Sequence, residues 1–331
     1  MSKPDEESRF RRPIVISQGE PAGIGPEIAV KAWAHLSGEI SGRPLRLIGS
    51  FEVFREAAAF SGVSLRGLAE AVVETGHKTR ASAGKPVSDN AGAVTAAIEH
   101  GARACLQGQA AALVTAPIQK SALTEAGFGF PGHTEFLAVL TGKARAVMML
   151  ASSKADPPLR VVPLTVHVPL RDTFKYLNPE AVAGTGEIVL AALAQDFGIA
   201  HPRLAVAGLN PHAGEAGTMG REEIDIIAPA VAQLRSRGHT DSGPLSADTL
   251  FHADARKAYD AALCMYHDQA LIPIKTLDFW SGVNVTLGLP IVRTSPDHGT
   301  ALDIAGRGIA NEASMIAAIR MAAEIAARRG L

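Results

Sequence analysis

The stretch PIVISQGEPAGIGPEIAVKAWAHL, residues 13–36, predicts a β-strand, a glycine-rich turn and an α-helix in direct succession. Pro13 to Ser17 is short and apolar, as expected of a buried strand, and the helix over Pro26 to Leu36 has a proline in its first turn. The turn between them, Gly19 to Glu27, can offer backbone amides to an anion, but its glycines do not follow the GxGxxG spacing. A tight connection between strand and helix accounts for these glycines equally well.

The same alternation of short apolar runs with longer helical patterns continues through the rest of the chain. Repeated strand–helix units predict an α/β fold, with a mostly parallel sheet and helices on both of its faces. In such folds a ligand binds at the carboxyl ends of the strands, so the residues just after each strand are the first to consider. Further strands are predicted at residues 45–48, 111–115, 146–150, 160–164, 203–207 and 261–265, and further helices at 52–60, 86–106, 179–197, 222–237 and from about residue 311.

Composition narrows the possible function classes. The chain has 331 residues, enough for about two domains, and its 32 basic and 33 acidic residues leave a formal net charge of −1. That balance gives no electrostatic footprint for a nucleic acid or an anionic membrane. No apolar run is long enough to span a membrane, and the first twelve residues mix both charge signs, which predicts a solvated tail and no secretory signal. Cys105 and Cys264 lie outside any CxxC pattern, which favours a cytoplasmic protein.

Five histidines stand beside Pro, Gly or Asp just after an apolar run: His133, His167, His212, His267 and His298. Any one of them alone is most simply a loop histidine that is hydrogen-bonded to nearby backbone. Three imidazoles with an open coordination position, however, form a catalytic site for zinc or a similar divalent ion. His167, His212 and His267 each follow a strand-like segment, so a folded sheet can bring them together, although their spacing matches no local metal-binding motif.

Other polar residues occur in the same segments. Asp248 and Asp268 are candidates for orienting an imidazole or for accepting a proton as a general base, and a helix cap or a turn is the simpler interpretation of both. Lys275, Asn284 and Arg293 together could hold a phosphate or a carboxylate, although each alone could be a solvated surface residue.

Seven segments, in their order along the chain, resemble the 4-hydroxythreonine-4-phosphate dehydrogenase (PdxA) family, whose fold is like that of isocitrate and isopropylmalate dehydrogenases. The fold that this resemblance implies is α/β, with two three-layer αβα domains and an active-site cleft between them. The first domain would comprise residues 1–125 and 285–331, and the second, residues 126–284, would carry most metal ligands and the dimer interface. The segments are GEPAGIGPE, TAPIQK, FPGHTEFLA, HVPLRD, LNPHAGEAGTMGREE, GPLSADTLF and the run from Tyr266 to Gly308.

The resemblance also implies roles for individual residues. The family's ligands for a divalent metal (zinc, magnesium or cobalt) correspond to His167, His212 and His267, contributed partly by each subunit of a homodimer. The segment from His298 to Glu312 resembles the adenosine-binding loop of isocitrate and isopropylmalate dehydrogenases, and in that comparison Asp303 mildly favours NAD over NADP. The substrate-binding positions correspond to His133, Thr134, Lys275, Asn284 and Arg293, and the cofactor-binding positions to His298, Gly299, Asp303 and Asn311.

The activity implied by the resemblance is the oxidation of 4-phosphooxy-L-threonine with NAD or NADP in pyridoxal phosphate biosynthesis. The product, 2-amino-3-oxo-4-phosphooxybutanoate, then loses carbon dioxide to give 3-amino-2-oxopropyl phosphate. Two alternatives stay open at this point. A dehydrogenase of D-erythronate or D-threonate 4-phosphate would share the same ligands, and a metal-dependent phosphohydrolase would use the histidines without a dinucleotide.

Overall fold

The computed structural model describes residues 12–130, 132–143 and 145–331, which form two compact units. Unit 1 takes the described residues up to Ala146 together with Leu289–Leu331, and unit 2 is Val147–Gly288. The chain therefore leaves unit 1 once and returns to it. The predicted solvated tail covers the first twelve residues, and all of these except Arg12 lie outside the described residues.

Unit 1 is built on a nearly all-parallel sheet. Its strands are β1 (Ile14–Ser17), β2 (Glu39–Ile40), β3 (Arg43–Gly49), β4 (Val72–Glu74), β5 (Ala112–Thr115) and β12 (Arg293–Pro296). β1 pairs in parallel with β3 and β5, β12 pairs in parallel with β5, and β4 pairs in parallel with β3, whereas the short β2 is antiparallel to β3. β1 and β5 are buried along their whole length, which explains why their sequences are almost continuously apolar.

Helices pack on this sheet and carry the apolar core of unit 1. The core joins Val94 and Ile98 to Leu113 of β5 and Ile48 of β3. Gly101 lies over the sheet because a Cβ there would approach the Leu113 side chain to 2.5 Å. The helices are α1 (Gly25–His35), α2 (Phe51–Ser61), α3 (Leu68–Ala71), α4 (Ala91–Leu106), α5 (Lys120–Glu125), α6 (His133–Leu140) and α11 (Ala313–Arg328).

The position of α6 explains why unit 1 extends to Ala146, whereas the sequence interpretation ended the first segment at residue 125. Phe136 and Leu137 of α6 are buried in the same core as Leu113. Phe128, which lies before α6, packs edge-on against Phe136 with ring centroids 5.0 Å apart. These aromatic contacts fix the segment after residue 125 to unit 1. The return to unit 1 occurs at Leu289, compared with residue 285 in the sequence interpretation.

Unit 2 has a mixed sheet in the order β11-β6-β7-β10-β8-β9. β7, β10, β8 and β9 are successive parallel neighbours, whereas β6 is antiparallel to both β7 and β11. The four parallel strands therefore end at one edge, which is where a ligand site is expected. The strands are β6 (Val147–Ser152), β7 (Leu159–Pro163), β8 (Arg203–Ala207), β9 (Thr240–Leu245), β10 (Ala261–Cys264) and β11 (Val283–Leu287).

The helices of unit 2 include one that differs from its prediction. The pattern over residues 222–237 predicts one helix, but the structure has a π-helical turn at Glu223–Ile227 followed by α8 (Ala228–Ser236). Pro229 has no N–H to donate to the carbonyl of Asp225, so the α-helical hydrogen-bond pattern is interrupted there. The other helices are α7 (Pro179–Gln195), α9 (Ala253–Arg256) and α10 (His267–Leu277), with 3₁₀ turns at Leu170–Lys175, Pro211–Gly217 and Ala247–Thr249.

The structure confirms the predicted α/β class and adds elements that the pattern does not predict. β9 has the sequence TDSGPL and β12 has the sequence RTSP, so both contain proline and polar residues that are untypical of strands. β12 is nevertheless buried throughout, because its neighbours cover it. In the part of the chain that the structure describes, no helix is both long and apolar enough to cross a membrane.

Candidate functional site

The predicted metal and carboxylate residues of unit 2 all follow its four parallel strands. His167 comes after β7, His212 after β8, Asp248 after β9 and His267 after β10. Because these strands are neighbours in the sheet, their following loops lie along one edge. The topology therefore gathers on one side of unit 2 the residues that the sequence interpretation selected.

His167 and His267 face each other across this edge. Their ring centroids are 5.8 Å apart with an interplanar angle of 41°. Two imidazoles bound to one ion at about 2.0–2.1 Å in tetrahedral geometry have ring centres roughly 5 Å apart, so this separation suits a pair of ligands to a common ion. Asp268 Oδ1 lies 2.7 Å from His267 Nδ1. This contact engages Nδ1 and leaves Nε2 as the nitrogen for a metal, an arrangement that carboxylates commonly make with metal-binding histidines.

His212 lies in a left-handed turn. From His212 to Ala216 the φ angles are 49°, 50°, 79°, 42° and 54°, and only Gly214 among these residues lacks a Cβ. His167 also has a positive φ, of 49°. Left-handed backbone costs about 1–2 kcal/mol for each residue with a side chain, and such strain is concentrated at functional sites.

His212 also lies close enough to Asp248 to influence its ionisation. The hydrogen bond from Ser246 lowers the pKa of Asp248, and a smaller electrostatic interaction with His212 acts in the same direction. Ser246 Oγ donates to Asp248 Oδ1 over 2.6 Å. Within residues 12–130, 132–143 and 145–331 of one chain, no three His, Cys, Asp or Glu side chains converge closely enough to hold an ion. A single chain thus brings His167 and His267 together and places His212 beside Asp248.

Lys275 and Asn284 lie on either side of the turn between α10 and β11, and Asp278 stabilises this turn by hydrogen bonds. Asp278 accepts hydrogen bonds from the hydroxyls of Ser152 and Ser281, both over 2.6 Å. Burial raises the pKa of Asp278, but these hydrogen bonds outweigh burial and lower it overall, so the carboxylate is ionised. Lys275 Nζ lies 5.3 Å from the ring centre of Phe279. Asn284 Oδ1 is buried and makes no hydrogen bond to any described residue.

The predicted substrate residues of unit 1 include a buried cation. Arg293, at the start of β12, is 2% exposed, and its Nε and Nη2 donate to Thr115 Oγ1 over 3.1 and 2.6 Å. Burial lowers the pKa of Arg293 to about 9, while the nearby Glu135 carboxylate acts in the opposite direction. The guanidinium is therefore still protonated at neutral pH. A buried, oriented guanidinium is suited to binding a carboxylate or a phosphate.

His133 lies near this cation, at the start of α6, with Thr134 beside it in the same first turn. Burial holds the pKa of His133 well below its ordinary value, and the charges of Arg293 and Lys120 lower it further. Its buried Nε2 makes no hydrogen bond to any described residue. A neutral imidazole next to a guanidinium can donate an N–H to an anion without adding a second charge.

The depressed pKa of His133 predicts a pH dependence of stability. The unfolded state binds a proton below about pH 6.5 while the folded state does not, so stability present above that pH is lost as pH falls. We expect wild type to lose about 2 kcal/mol more than His133→Gln between pH 7 and 5, since the loss accumulates over about 1.5 pH units below pH 6.5 at about 1.4 kcal/mol per unit. Urea unfolding at several pH values measures this difference. His100→Gln, an exposed histidine of α4, is the matched control, and equal pH slopes for His133→Gln and wild type would contradict the prediction.

The predicted cofactor residues form a loop that is joined to the glycine-rich turn. Ile24 N–H donates to the carbonyl of Thr300 over 2.9 Å, and a Cβ on Gly23 would approach Thr300 to 2.9 Å. His298 Nδ1 lies 3.0 Å from the Gly299 carbonyl, and Asn311 Oδ1 accepts the N–H of Ala313 over 2.8 Å, at the start of α11. Asp303 is exposed. Its carboxylate is thus accessible to a ligand.

Four residues that the sequence interpretation did not select also shape these sites. Thr115 accepts the hydrogen bonds of Arg293, and Lys120 acts on His133. Thr115 is the last residue of β5, so the rule that sites lie at strand ends could have identified it. Glu223 and Gln269 bind the backbone of the histidine-bearing loops. Both lie in segments that carry the family resemblance, but their residue types and spacing do not indicate this role, because it depends on long-range backbone contacts.

Comparisons with known proteins agree over nearly the whole chain. Residues 43–322 match the family model described as pyridoxal phosphate biosynthetic protein PdxA. A protein of Paracoccus denitrificans named 4-hydroxythreonine-4-phosphate dehydrogenase is 53% identical over 324 residues, which are 96% of this chain and 99% of that protein. A crystal structure of 4-hydroxythreonine-4-phosphate dehydrogenase from Klebsiella pneumoniae is 38% identical, covers 96% of this chain and 98% of its own, and has a TM-score of 0.83.

A structure with a different named activity is also similar. The terephthalate 1,2-cis-dihydrodiol dehydrogenase from Burkholderia xenovorans is 31% identical, covers 95% of this chain and 98% of its own, and has a TM-score of 0.64. The identity and the TM-score are both lower than for the Klebsiella structure. Similarity at this level therefore includes a dehydrogenase that is named for a different substrate.

Proposed function

This chain belongs to the PdxA family, and from that premise we propose that it is a 4-hydroxythreonine-4-phosphate dehydrogenase of pyridoxal phosphate biosynthesis. The observation that carries the proposal is the 53% identity to a dehydrogenase of that name over 96% of the chain. The reaction oxidises the secondary alcohol of 4-phosphooxy-L-threonine, whose carbon-bound hydrogen leaves as a hydride to the nicotinamide and whose hydroxyl loses a proton. The β-keto acid so formed loses carbon dioxide and takes up a proton to give 3-amino-2-oxopropyl phosphate.

The anionic and polar groups of the substrate require oriented donors. We assign them to Arg293, His133, Thr134, Lys275 and Asn284, the positions that the family resemblance implies. The buried guanidinium of Arg293 and the neutral imidazole of His133 support an oxyanion-binding role. The buried Oδ1 of Asn284 supports a role in accepting a hydrogen bond from the substrate. These residues supply orientation, which reduces the entropic barrier to the reaction.

A divalent ion (zinc, magnesium or cobalt) fits the donor set of His167, His212 and His267. The spacing of His167 and His267 and the carboxylate on His267 Nδ1 support the assignment. When bound, such an ion supplies a Lewis acid that lowers the pKa of the substrate hydroxyl. Asp268 already orients His267, so we assign it to positioning. The lowered pKa of Asp248 makes it a weaker proton acceptor, and we assign it to orienting His212.

The dehydrogenase reaction uses a nicotinamide cofactor. We propose that it binds the loop with His298, Gly299, Asp303 and Asn311, and that Asp303 favours NAD over NADP by accepting hydrogen bonds from the ribose hydroxyls. The exposed carboxylate of Asp303 supports this preference. Comparing kcat/KM for NAD and NADP in wild type and in Asp303→Asn tests it.

We propose that the enzyme is a homodimer in the cytoplasm and that the metal ligands come from both subunits. Unit 2 exposes large apolar side chains, among them Ile272, Phe279 and Trp280, which are 64%, 62% and 60% exposed. Leu170 and Phe174, on one 3₁₀ turn of the same unit, and Tyr176, directly after that turn, are also exposed. Exposed aromatic and aliphatic side chains at this density support a protein interface. The free thiols of Cys105 and Cys264 support a reducing compartment.

Mixing inactive variants tests whether the ligands are shared. His167→Ala, His212→Gln and His267→Ala would each be purified, and the three possible pairs would be dissociated and reassociated together. Suppose that two ligands of each site come from one subunit and the third from the other. Two of the three pairs then recover up to about a quarter of wild-type activity. Half of the randomly formed dimers contain one copy of each variant, and in these dimers one of the two sites is intact. The third pair stays inactive, and its members identify the two ligands that share a subunit. No recovery in any pair would contradict the sharing.

One assay separates the remaining substrate alternatives. NAD(P)H absorbance is followed with 4-phosphooxy-L-threonine, D-erythronate 4-phosphate and D-threonate 4-phosphate, and inorganic phosphate is measured in parallel. We expect the highest kcat/KM with 4-phosphooxy-L-threonine and no phosphate release. A higher value with a four-carbon acid phosphate would assign a sister dehydrogenase. Phosphate release without NAD(P)H would assign a phosphohydrolase.

A further inference from the structure

Gly208, the first residue after β8, is hydrogen-bonded directly to the end of β9 and, through the side chain of Gln269, to the residue after β10. Its N–H donates to the Leu245 carbonyl at the end of β9 over 2.7 Å. Its carbonyl accepts from Gln269 Nε2 over 2.7 Å, and Gln269 Oε1 accepts the N–H of Met265, just after β10, over 2.7 Å. Gln269 is 8% exposed, so water does not compete for these bonds. The backbones that lead to His212, Asp248 and His267 are therefore connected through one residue.

Glu223 holds the next residues of the same loop. Its Oε1 accepts the N–H groups of Leu209 and Asn210, both over 2.7 Å, and its Oε2 accepts from Asn210 Nδ2 over 3.0 Å. Glu223 is 3% exposed. A Cβ on Gly214 would approach Glu223 Oε2 to 2.6 Å, so the carboxylate lies directly inside the left-handed turn.

The left-handed turn needs such external contacts. Its four residues with side chains each cost conformational energy, and a turn of this kind persists only where its surroundings fix it. Glu223 binds the entrance of the turn, and Gln269 ties that entrance to the end of β10. Gly208 cannot carry a side chain, since a Cβ would approach Ala213 Cα to 2.9 Å and Glu223 Oε1 to 3.1 Å. The contact between Gly208 and the turn is thus as close as the backbone allows.

We propose that Gln269 and Glu223 are positioning residues that, through Gly208, hold the loops of His212 and His267 in the backbone conformations from which each imidazole binds a divalent ion. This inference rests on the metal site in the proposed function. Neither side chain is assigned as a ligand or contacts a ligand side chain in any hydrogen bond described above. Both act on the backbone from which the ligands project, so their loss should weaken ion binding while the cofactor interaction stays unchanged.

The experiment measures ion affinity directly, by competition between each full-length protein and a chromophoric chelator for Zn²⁺ and Co²⁺. We expect Gln269→Met and Glu223→Gln each to lower the affinity about 10–100-fold, the range found for residues that support metal ligands. The visible spectrum of the Co²⁺-loaded variants should differ from that of wild type, because the ligand geometry changes. The KM for the nicotinamide cofactor should stay within about twofold.

Two surface residues of unit 2 serve as matched controls. Gln195→Met, at the end of α7, and Glu180→Gln, at its start, make the same chemical changes at exposed positions and should leave ion affinity unchanged. Gln269→Glu keeps the acceptor for Met265 N–H and loses the donor to Gly208, so it should lose as much affinity as Gln269→Met. Circular dichroism and the thermal midpoint show whether Gln269→Glu is folded. A folded Gln269→Glu allows the test to proceed even if Glu223→Gln does not fold.

Wild-type affinity in folded Gln269→Met and Gln269→Glu would overturn the positioning role while leaving the metal site intact. Absence of Zn²⁺ and Co²⁺ binding by wild type would instead overturn the metal site, and the inference with it. The wild-type titration therefore distinguishes the two failures.

Discussion

His267→Ala is expected to lower kcat/KM by at least about 10³-fold while the protein stays folded. If His267 is a metal ligand, as proposed, its loss removes several kcal/mol of transition-state stabilisation, and each 1.4 kcal/mol is about a tenfold change in rate. His267 is half-buried at the start of α10 and contributes little to the apolar core. We therefore expect a thermal midpoint within about 3 °C of wild type. Steady-state kinetics with defined metal content and a thermal unfolding scan measure both quantities.

His201→Ala is the matched control for this variant. His201 is an exposed histidine of unit 2 that lies before β8, at the opposite end of the strand from His212. It should retain wild-type kcat/KM and metal content. Wild-type activity in metal-depleted His267→Ala would refute the metal assignment of His267.

Arg293→Met is expected to raise the KM for 4-phosphooxy-L-threonine by about 10–100-fold. A hydrogen bond to a charged group contributes about 1.5–3 kcal/mol, which corresponds to that range. The substitution keeps much of the buried volume and leaves Thr115 Oγ1 without its donor, so a small loss of stability accompanies the loss of affinity. Initial rates over a range of substrate concentrations give KM and kcat separately.

Arg43→Met separates substrate binding from the general effect of removing a buried arginine. Arg43 of β3 is also 2% exposed and lies in the same unit, where its Nη2 donates to the carbonyl of Leu331 over 2.5 Å. Its replacement should lower stability without changing KM. If Arg293→Met and Arg43→Met both leave KM unchanged, Arg293 does not bind the substrate.

Local patterns predict the architecture of this protein better than they predict its boundaries. The alternation of apolar strands with amphipathic helices gives the α/β class, because burial of parallel strands makes them continuously apolar. This pattern does not predict β12, because its sequence, RTSP, is polar. Its burial depends on the hydrogen bonds of Arg293 and Thr294 to residues that are distant in sequence. The extension of unit 1 beyond residue 125 depends on the packing of Phe128 against Phe136. No linker and no change in composition indicates this boundary in the sequence.

The candidate site shows the same division between local and long-range information. Strand ends indicate His167, His212 and His267, because the carboxyl edge of a parallel sheet is a property of the fold class. The left-handed turn at His212 could not be predicted, since four of its five residues disfavour that conformation and only contacts such as Glu223 maintain it. The pKa of His133 likewise depends on burial beside Arg293, which follows from tertiary packing alone.

The division of unit 1 into two chain segments has a consequence for protein synthesis. Unit 2 is one continuous segment, Val147–Gly288, so all of its strands have been translated before residue 289 is added. Unit 1 by then lacks β12, the parallel neighbour of β5, and the whole of α11, which carries nine buried residues. Until the last 43 residues, Leu289–Leu331, leave the ribosome, the nascent chain has an unpaired edge at β5 and an uncovered apolar surface. The whole of unit 2 can thus be translated while unit 1 still lacks its final strand.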